Sequence, residues 1–395
     1  MDRKIFFTAF VIFFTIFFKF DGLNPTILGW TNNALLLIMV CINYKAFGML
    51  FNPNNRILNL LSLTWLGIIL YTGYDNQDLS YDNETWDGLI LESMASMRFD
   101  HVLYYVLKLF FCVCYYQYLN KIGKGRTFIK YFFQILVVYA AISDLNALTY
   151  KSMDGSGYLI GNKFYVCYVN TFVVTLYFML HPLMENKYKK VGRILLLITF
   201  LIAIKTECST VILGSAILYY LLFYLKDNWK PKLYDWKIYL LGLVVFDILF
   251  FFFTMSFIDN EFMRFLIVDV LGEDMTLTGR LDIYGALGAL LISCPLWGYG
   301  MGNGHMVTMM NGVGANAQNG LFNMMLEIGI LGVVAYLLLL FCMFKKASIY
   351  SKTYSLVCFV YMMLVLSSIE VTFTTYFFAM SLFLILDNKD HVVLR

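Results

Sequence analysis

The chain has 395 residues, of which 60% are hydrophobic, 18% aromatic and only 14% charged. A soluble domain carries about a quarter charged and under half apolar residues, so this composition excludes a soluble globular protein and describes a polytopic membrane protein. The net charge of +3 is too small to imply a nucleic-acid partner.

A helix needs roughly 17–25 mostly apolar residues to span a bilayer. The first such segment, 4–20, follows Met1-Asp2-Arg3-Lys4. It has the charged start and apolar stretch of a signal peptide but no A-x-A-like cleavage site, and reads as an uncleaved first span. Further spans are expected at 27–45, 56–74, 101–119, 127–147, 164–184, 193–206, 208–226, 238–257, 321–344, 353–370 and 372–387. The fold class is thus all-α, with about twelve transmembrane helices in one integral-membrane domain, 1–395. The eight cysteines follow no metal-ligand spacing and fall mostly in apolar runs, where they act as small packing residues.

Short loops rich in lysine and arginine set the orientation. Basic clusters occur at Lys121, Lys124 and Arg126; at Lys187, Lys189, Lys190 and Arg193; at Lys226, Lys230 and Lys232; and at Lys345, Lys346 and Lys352. Twelve spans place all four on the side of Arg3 and Lys4, so both termini are expected in the cytoplasm of a cell-membrane protein. The opposite side is acidic: residues 75–100 hold seven acids against Arg98.

The longest outer segment, 258–320, precedes the tenth span. Structureless loops of that length are uncommon unless functional. "EFMRFLIVDVL" and "LDIYGALGALLIS" within it read as short helices on or dipping into the membrane. The stretch 277–304, LTGRLDIYGALGALLISCPLWGYGMGNG, contains seven glycines and a single arginine. Its glycines match neither a dinucleotide-binding fingerprint nor a phosphate-binding P-loop.

Ionisable groups inside a membrane usually face a cavity or a partner. Asn319, Asn323 and Glu327 recur every four residues and share a helix face, followed by Gly329 and Gly332, where another helix can approach closely. This stripe reads either as a helix–helix hydrogen-bond network or as a wall of an outward polar cavity beneath 277–304. Asp144, Asp247 and Glu370 also lie in or near spans and read individually as structural partners. The outward cations are Arg98, Lys151, Lys163, Lys205, Arg264 and Arg280. Arg280 follows Gly279 in the glycine-rich segment, which suits a bidentate phosphate clamp.

These residues resemble the Wzy-type polysaccharide polymerase and O-antigen ligase superfamily. The resemblance covers about 55 residues: Gly279-Arg280, Tyr284, the turn Pro295-Leu296-Trp297-Gly298-Tyr299-Gly300, Asn319, and Glu327-Ile328-Gly329-Ile330-Leu331-Gly332. It implies transfer of a glycan from an undecaprenyl diphosphate carrier to an acceptor hydroxyl, outside the cytoplasmic membrane. Arg280 is then the expected catalytic cation. Arg264, Lys205, Gly279, Tyr284, Gln318, Asn319, Asn323, Glu327 and His305 are expected to contact substrate.

Two departures favour a polymerase over a ligase. Gln318 stands where ligases have a histidine, leaving His305 as a candidate substitute. Cys208-Ser209 replaces the family's Ser-Arg, leaving Lys205 as a substitute cation. The expected partners are lipid-diphosphate-linked oligosaccharides as donor and acceptor, membrane lipid, and a chain-length regulator and flippase. No cofactor is expected. Nor is a metal, since the outer segments hold no histidine pair or tight carboxylate cluster with ligand spacing. A ligase and a lipid-linked oligosaccharide flippase are the alternatives; a flippase would need internal repeats and cations deep in the bundle, which this sequence lacks.

Overall fold

A computed structural model describes residues 2–18, 24–84, 90–95, 97–150, 158–181, 183, 185–249, 280–311, 316–348 and 351–386, with backbone alone at 25, 81–84, 90–95, 280–282, 285 and 351. The helices in chain order are α1 (Asp2–Ile12), α2 (Pro25–Ile42), α3 (Arg56–Asp75), α4 (Phe99–Lys121), α5 (Gly125–Thr149), α6 (Lys163–Leu180), α7 (Asn186–Lys205) and α8 (Ser209–Phe223). They continue with α9 (Trp236–Leu243), α10 (Arg280–Ser293), α11 (Gly304–Met310), α12 (Gly320–Ala347), α13 (Tyr354–Leu366) and α14 (Thr375–Ser381). The acidic segment between α3 and α4 adds a small antiparallel strand pair, Ser80–Glu84 with Ile90–Ala95, to a structure whose described elements are otherwise helices.

Each of the twelve expected spans contains helix among its described residues, though several include turns or extended residues at their ends. Five helices among the described residues are long and apolar enough to cross a membrane: Pro53–Asp75, Phe99–Lys121, Gly125–Thr149, Lys163–Leu180 and Gly320–Ala347. A sixth forms if Thr26–Ile42 and Tyr44–Phe51, bent by 67°, are counted as one span. The count of twelve therefore exceeds what straight, full-length helices support. The 13 residues of α13 rise only about 20 Å, short of a hydrocarbon core of about 30 Å. Apolar runs reveal burial from water, but a helix packed inside a protein is as apolar as one facing lipid.

Burial separates these two cases. In α6 every residue from Val166 to Leu180 is buried, as expected of a helix that is hydrophobic all round. It lies centrally, against α5, α7 and α13. By contrast, α5 exposes Val138, Ile142 and Leu145, and α7 exposes Ile194, Leu197, Leu201 and Ile204. Both sets repeat at helical spacing, forming outward apolar stripes that suit a lipid environment rather than water. On the other flank α3 runs along α12, where Trp65 packs between Tyr336 and Phe378, with ring centroids 5.2 Å from each.

The basic turns converge. Lys124 pairs with Asp2 at 3.5 Å, Arg126 donates to the Leu180 carbonyl at 3.1 Å, and Lys346 donates to Asn55 Oδ1. The Tyr234 hydroxyl meets that of Thr353 at 3.1 Å. These contacts join the start of α1 and the turns beside α4, α6, α9 and α12 at one end of the bundle.

Candidate functional site

At the opposite ends of α6, α12 and α13, the glycine-rich turn closes one wall of a polar cavity. Its geometry begins with a break in α12. Gly329 has φ 62° and ψ 179°, so the helix unwinds there for one residue. Such a break strands backbone donors and acceptors, which are costly to bury unpaired. The turn after α10 supplies their partners. Tyr299 N donates to the Leu326 carbonyl (2.6 Å) and Gly300 N to that of Glu327 (2.9 Å). In return Ile330 N donates to the Pro295 carbonyl (2.9 Å) and Leu331 N to that of Leu296 (3.2 Å).

Only glycine fits where the two backbones meet. A Cβ on Gly329 would lie 2.1 Å from the Leu296 carbonyl oxygen, and one on Gly298 would lie 2.6 Å from Gly329 N. Gly298 also has φ +72°, a left-handed conformation strained for side-chain-bearing residues. The two glycine motifs of the sequence, PLWGYG and EIGILG, are thus the two sides of one interface. Asn303 fastens the turn further. Its Oδ1 accepts from Met97 N at 2.8 Å and its Nδ2 donates to the Tyr299 carbonyl at 2.8 Å.

The cavity beside this junction has a volume of about 390 Å³. Asn323 and Glu327 line it from α12; Asn162, Tyr165 and Tyr168 from the start of α6; Gly302 and His305 from the turn. Glu370, Val371 and Thr374 complete it from the segment after α13. The Glu327 carboxylate is surrounded by donors: Asn323 Nδ2 at 3.3 Å and the backbone N–H groups of Gly302 and Gly304. A side chain at 304 would crowd it, since a Cβ there would lie 3.2 Å from Oε1. Glu370 accepts from Val371 N at 2.9 Å. Tyr165 lies within the electrostatic reach of both carboxylates. The buried Tyr168 hydroxyl has no hydrogen-bond partner among the described residues.

The expected site residues fall into separate groups. Asn323, Glu327 and His305 meet in the cavity, with His305 exposed at its rim. Asn319 does not share their face toward it: it is fully buried and caps α12, accepting from Phe322 N at 3.0 Å and donating to the Asp247 carbonyl at 3.4 Å. Its position before the first helical turn removes it from the i, i+4 stripe. Tyr284 is buried and donates to the Gln318 carbonyl (3.2 Å) and, more weakly, to that of Ser368 (3.5 Å). Gln318 has φ +48° and donates its N–H to Asn316 Oδ1 at 2.8 Å. These three tie α10, α12 and the end of α13 together. Lys205 is exposed at the end of α7 and does not line the cavity. Arg280 is the first residue of α10, with its side chain outside the description; Gly279 and Arg264 lie outside the described residues.

All three isolated acids have hydrogen-bond partners. Asp144 accepts from Asn170 at 2.7 Å and the buried Asp247 from the Ser367 hydroxyl at 2.7 Å. Glu370 also faces the cavity. An acid directly after an apolar run, in "VLSSIEVTFTTY", was its available sequence signal. Asn303 and Tyr168 had none, since their roles depend on contacts with distant segments. No group of three or more His, Cys, Asp or Glu side chains placed to hold a metal ion occurs among the described residues.

Fold and cavity together define a class: a helical membrane protein with a carboxylate- and amide-lined chamber at one end of its bundle. No protein family, curated protein or solved structure matches the chain.

Proposed function

We propose that this protein is a glycan polymerase, joining oligosaccharide repeat units carried on undecaprenyl diphosphate into a surface polysaccharide. In this reading the twelve helical segments span the cytoplasmic membrane, both termini are cytoplasmic, and the cavity opens outward. The observation that carries the reading is the construction of the cavity wall. The helix that starts at Arg280, α10, leads into the glycine turn, which is fastened to the broken helix bearing Asn323 and Glu327. The backbone of Arg280 and the Glu327 carboxylate thereby belong to one hydrogen-bonded scaffold, and Glu370 lines the same cavity.

The chemistry follows from those groups. An acceptor hydroxyl oxygen attacks the anomeric carbon of the donor sugar, a new C–O bond forms, and the bond to the diphosphate oxygen breaks. The bonding pair leaves with the lipid diphosphate, whose growing charge Arg280 neutralises, assisted by Arg264. The hydroxyl proton passes to Glu327, which its surrounding donors hold in one orientation. Glu370, the asparagines and the tyrosines offer hydrogen bonds and ring faces to sugars. No divalent metal takes part.

Purified protein supplied with a lipid-diphosphate repeat unit tests this directly. A ladder of products rising by one repeat is the expected result, unchanged by a chelator. A single transfer to a different acceptor would make the enzyme a ligase. Movement of the intact donor across a vesicle membrane without new bonds would make it a transporter.

A further inference from the structure

The carboxylate chamber contains a polar group that folding leaves without a partner. Tyr168 stands on the second turn of α6, lines the chamber and is only 5% exposed. Its hydroxyl has no hydrogen-bond partner among the described residues. Glu370 and Tyr165, both chamber residues, lie within electrostatic reach of that hydroxyl. The Cys167 and Cys208 thiols are near it too, but thiols are weak hydrogen-bonding groups and neither bonds to it. Nor can the ring swing out to water, since every residue of α6 from Val166 to Leu180 is buried.

A buried hydroxyl without a partner costs free energy. Phenylalanine would fill the same space without that cost, so packing alone gives no reason for tyrosine here. A group reserved for a ligand explains such an orphan. The surrounding wall suits a sugar. The Tyr168 ring lies beside that of Phe164, with centroids 6.4 Å apart and planes 29° from parallel, and Asn162 and Tyr165 line the same side. Ring faces meet the C–H side of a sugar, and amides and hydroxyls meet its polar edge.

Which sugar enters follows from the rest of the lining. No lysine or arginine is among the described lining residues, so those residues offer the donor diphosphate no fixed cation within the chamber. Glu327, the base of the proposed reaction, does line it. The occupant is therefore the sugar that gives up a proton, the acceptor. We propose that Tyr168 is a specificity-determining contact for the acceptor sugar, its hydroxyl exchanging a hydrogen bond with a non-reacting sugar hydroxyl and so orienting the sugar toward Glu327. This inference rests on the glycan reading, and Tyr168 takes no part in making or breaking bonds.

The test compares Tyr168→Phe with the wild type in two measurements on the full-length protein in nanodiscs. Without substrate, the thermal midpoint should stay the same or rise by about 1–3 °C, because the deleted hydroxyl had no partner. With the lipid-diphosphate repeat unit extracted from the producing cells, KM should rise about five- to tenfold while kcat stays within about twofold. Tyr361→Phe is the control. Its hydroxyl is also buried and unpartnered, but it sits on α13 against Tyr239 and Phe344, away from the chamber lining. That variant should keep both its midpoint and its KM. A lower midpoint for Tyr168→Phe would reveal a structural partner and overturn the proposal. So would polymer made at an unchanged KM, or a fall in kcat alone. A wild type that makes no polymer at all would sink the glycan reading and this proposal with it, an outcome distinct from the other three.

Discussion

Gly329 and Gly298 occupy positions where a single methyl group decides between a docked and an undocked turn. Gly329→Ala would place carbon 2.1 Å from the Leu296 oxygen in a φ +62° conformation, and Gly298→Ala meets backbone on the other side. Each is expected to cost about 2–4 kcal/mol, combining backbone strain with displaced hydrogen bonds. Gly288→Ala is the counter-case: it lies within α10 with no atom near its would-be Cβ, and should leave stability unchanged or raise it by about 0.5–1 kcal/mol. Thermal unfolding in detergent separates them, and equal midpoints for all three would refute the docking argument. For catalysis, Glu327→Gln should lower polymer output at matched protein levels at least about a hundredfold, because glutamine cannot accept the proton. Arg280→Lys should also lose about a hundredfold, since lysine keeps the charge but not the planar fork. Near-normal polymer from Arg280→Ala would reduce that residue to a solvated charge.

At the scale of elements, the interface between the turn and α12 explains why this long helix is interrupted. An unbroken helix would satisfy its own backbone and leave the turn no partners. The break exchanges internal hydrogen bonds for four that hold another segment. Asn303 is the second fastening, linking the turn to the start of α4 through Met97. Asn303→Ala removes both of its contacts and leaves the Met97 N–H without this acceptor. A loss of about 1–3 kcal/mol is expected, together with faster proteolysis near the turn and lower polymer output. If Asn303→Ala matches the wild type in all three, the turn is held by the α12 junction alone. The chamber also depends on α6, whose first two turns carry Tyr165 and Tyr168. That helix is enclosed by its neighbours, so its position is fixed by packing on every side rather than by a loop.

Across the whole molecule, polarity is sorted to two ends. The carboxylate chamber lies where α6 begins and α13 finishes, and a cavity bordered by His181, Lys230 and Lys352 lies where α6 finishes and α13 begins. Such asymmetry matches the rule that positive loops remain in the cytoplasm. Cysteine introduced at Asn311 should react with an impermeant thiol reagent in intact cells, and cysteine at Lys346 only after permeabilisation. Both experiments require the native cysteines to be replaced first. Labelling of Asn311 from the inside would place the chamber on the wrong side for a lipid-linked donor.

The sequence by itself determined the membrane class, because apolar content over such lengths cannot be buried in a soluble domain of this size. It also located helical segments and the helix that Pro295 follows, since periodicity and breakers act locally. The i, i+4 relation of Asn323 and Glu327 was legible for the same reason. Tertiary structure alone decided that Gly298 and Gly329 share one contact, that Asn319 caps a helix instead of facing the chamber, and that Glu370 joins Glu327. The first and last of these depend on chain segments about thirty or more residues apart meeting at atomic distance, and the burial of Asn319 on its contact with Asp247. Hydrophobic pattern specifies that a face is covered; only packing and paired hydrogen bonds specify by what.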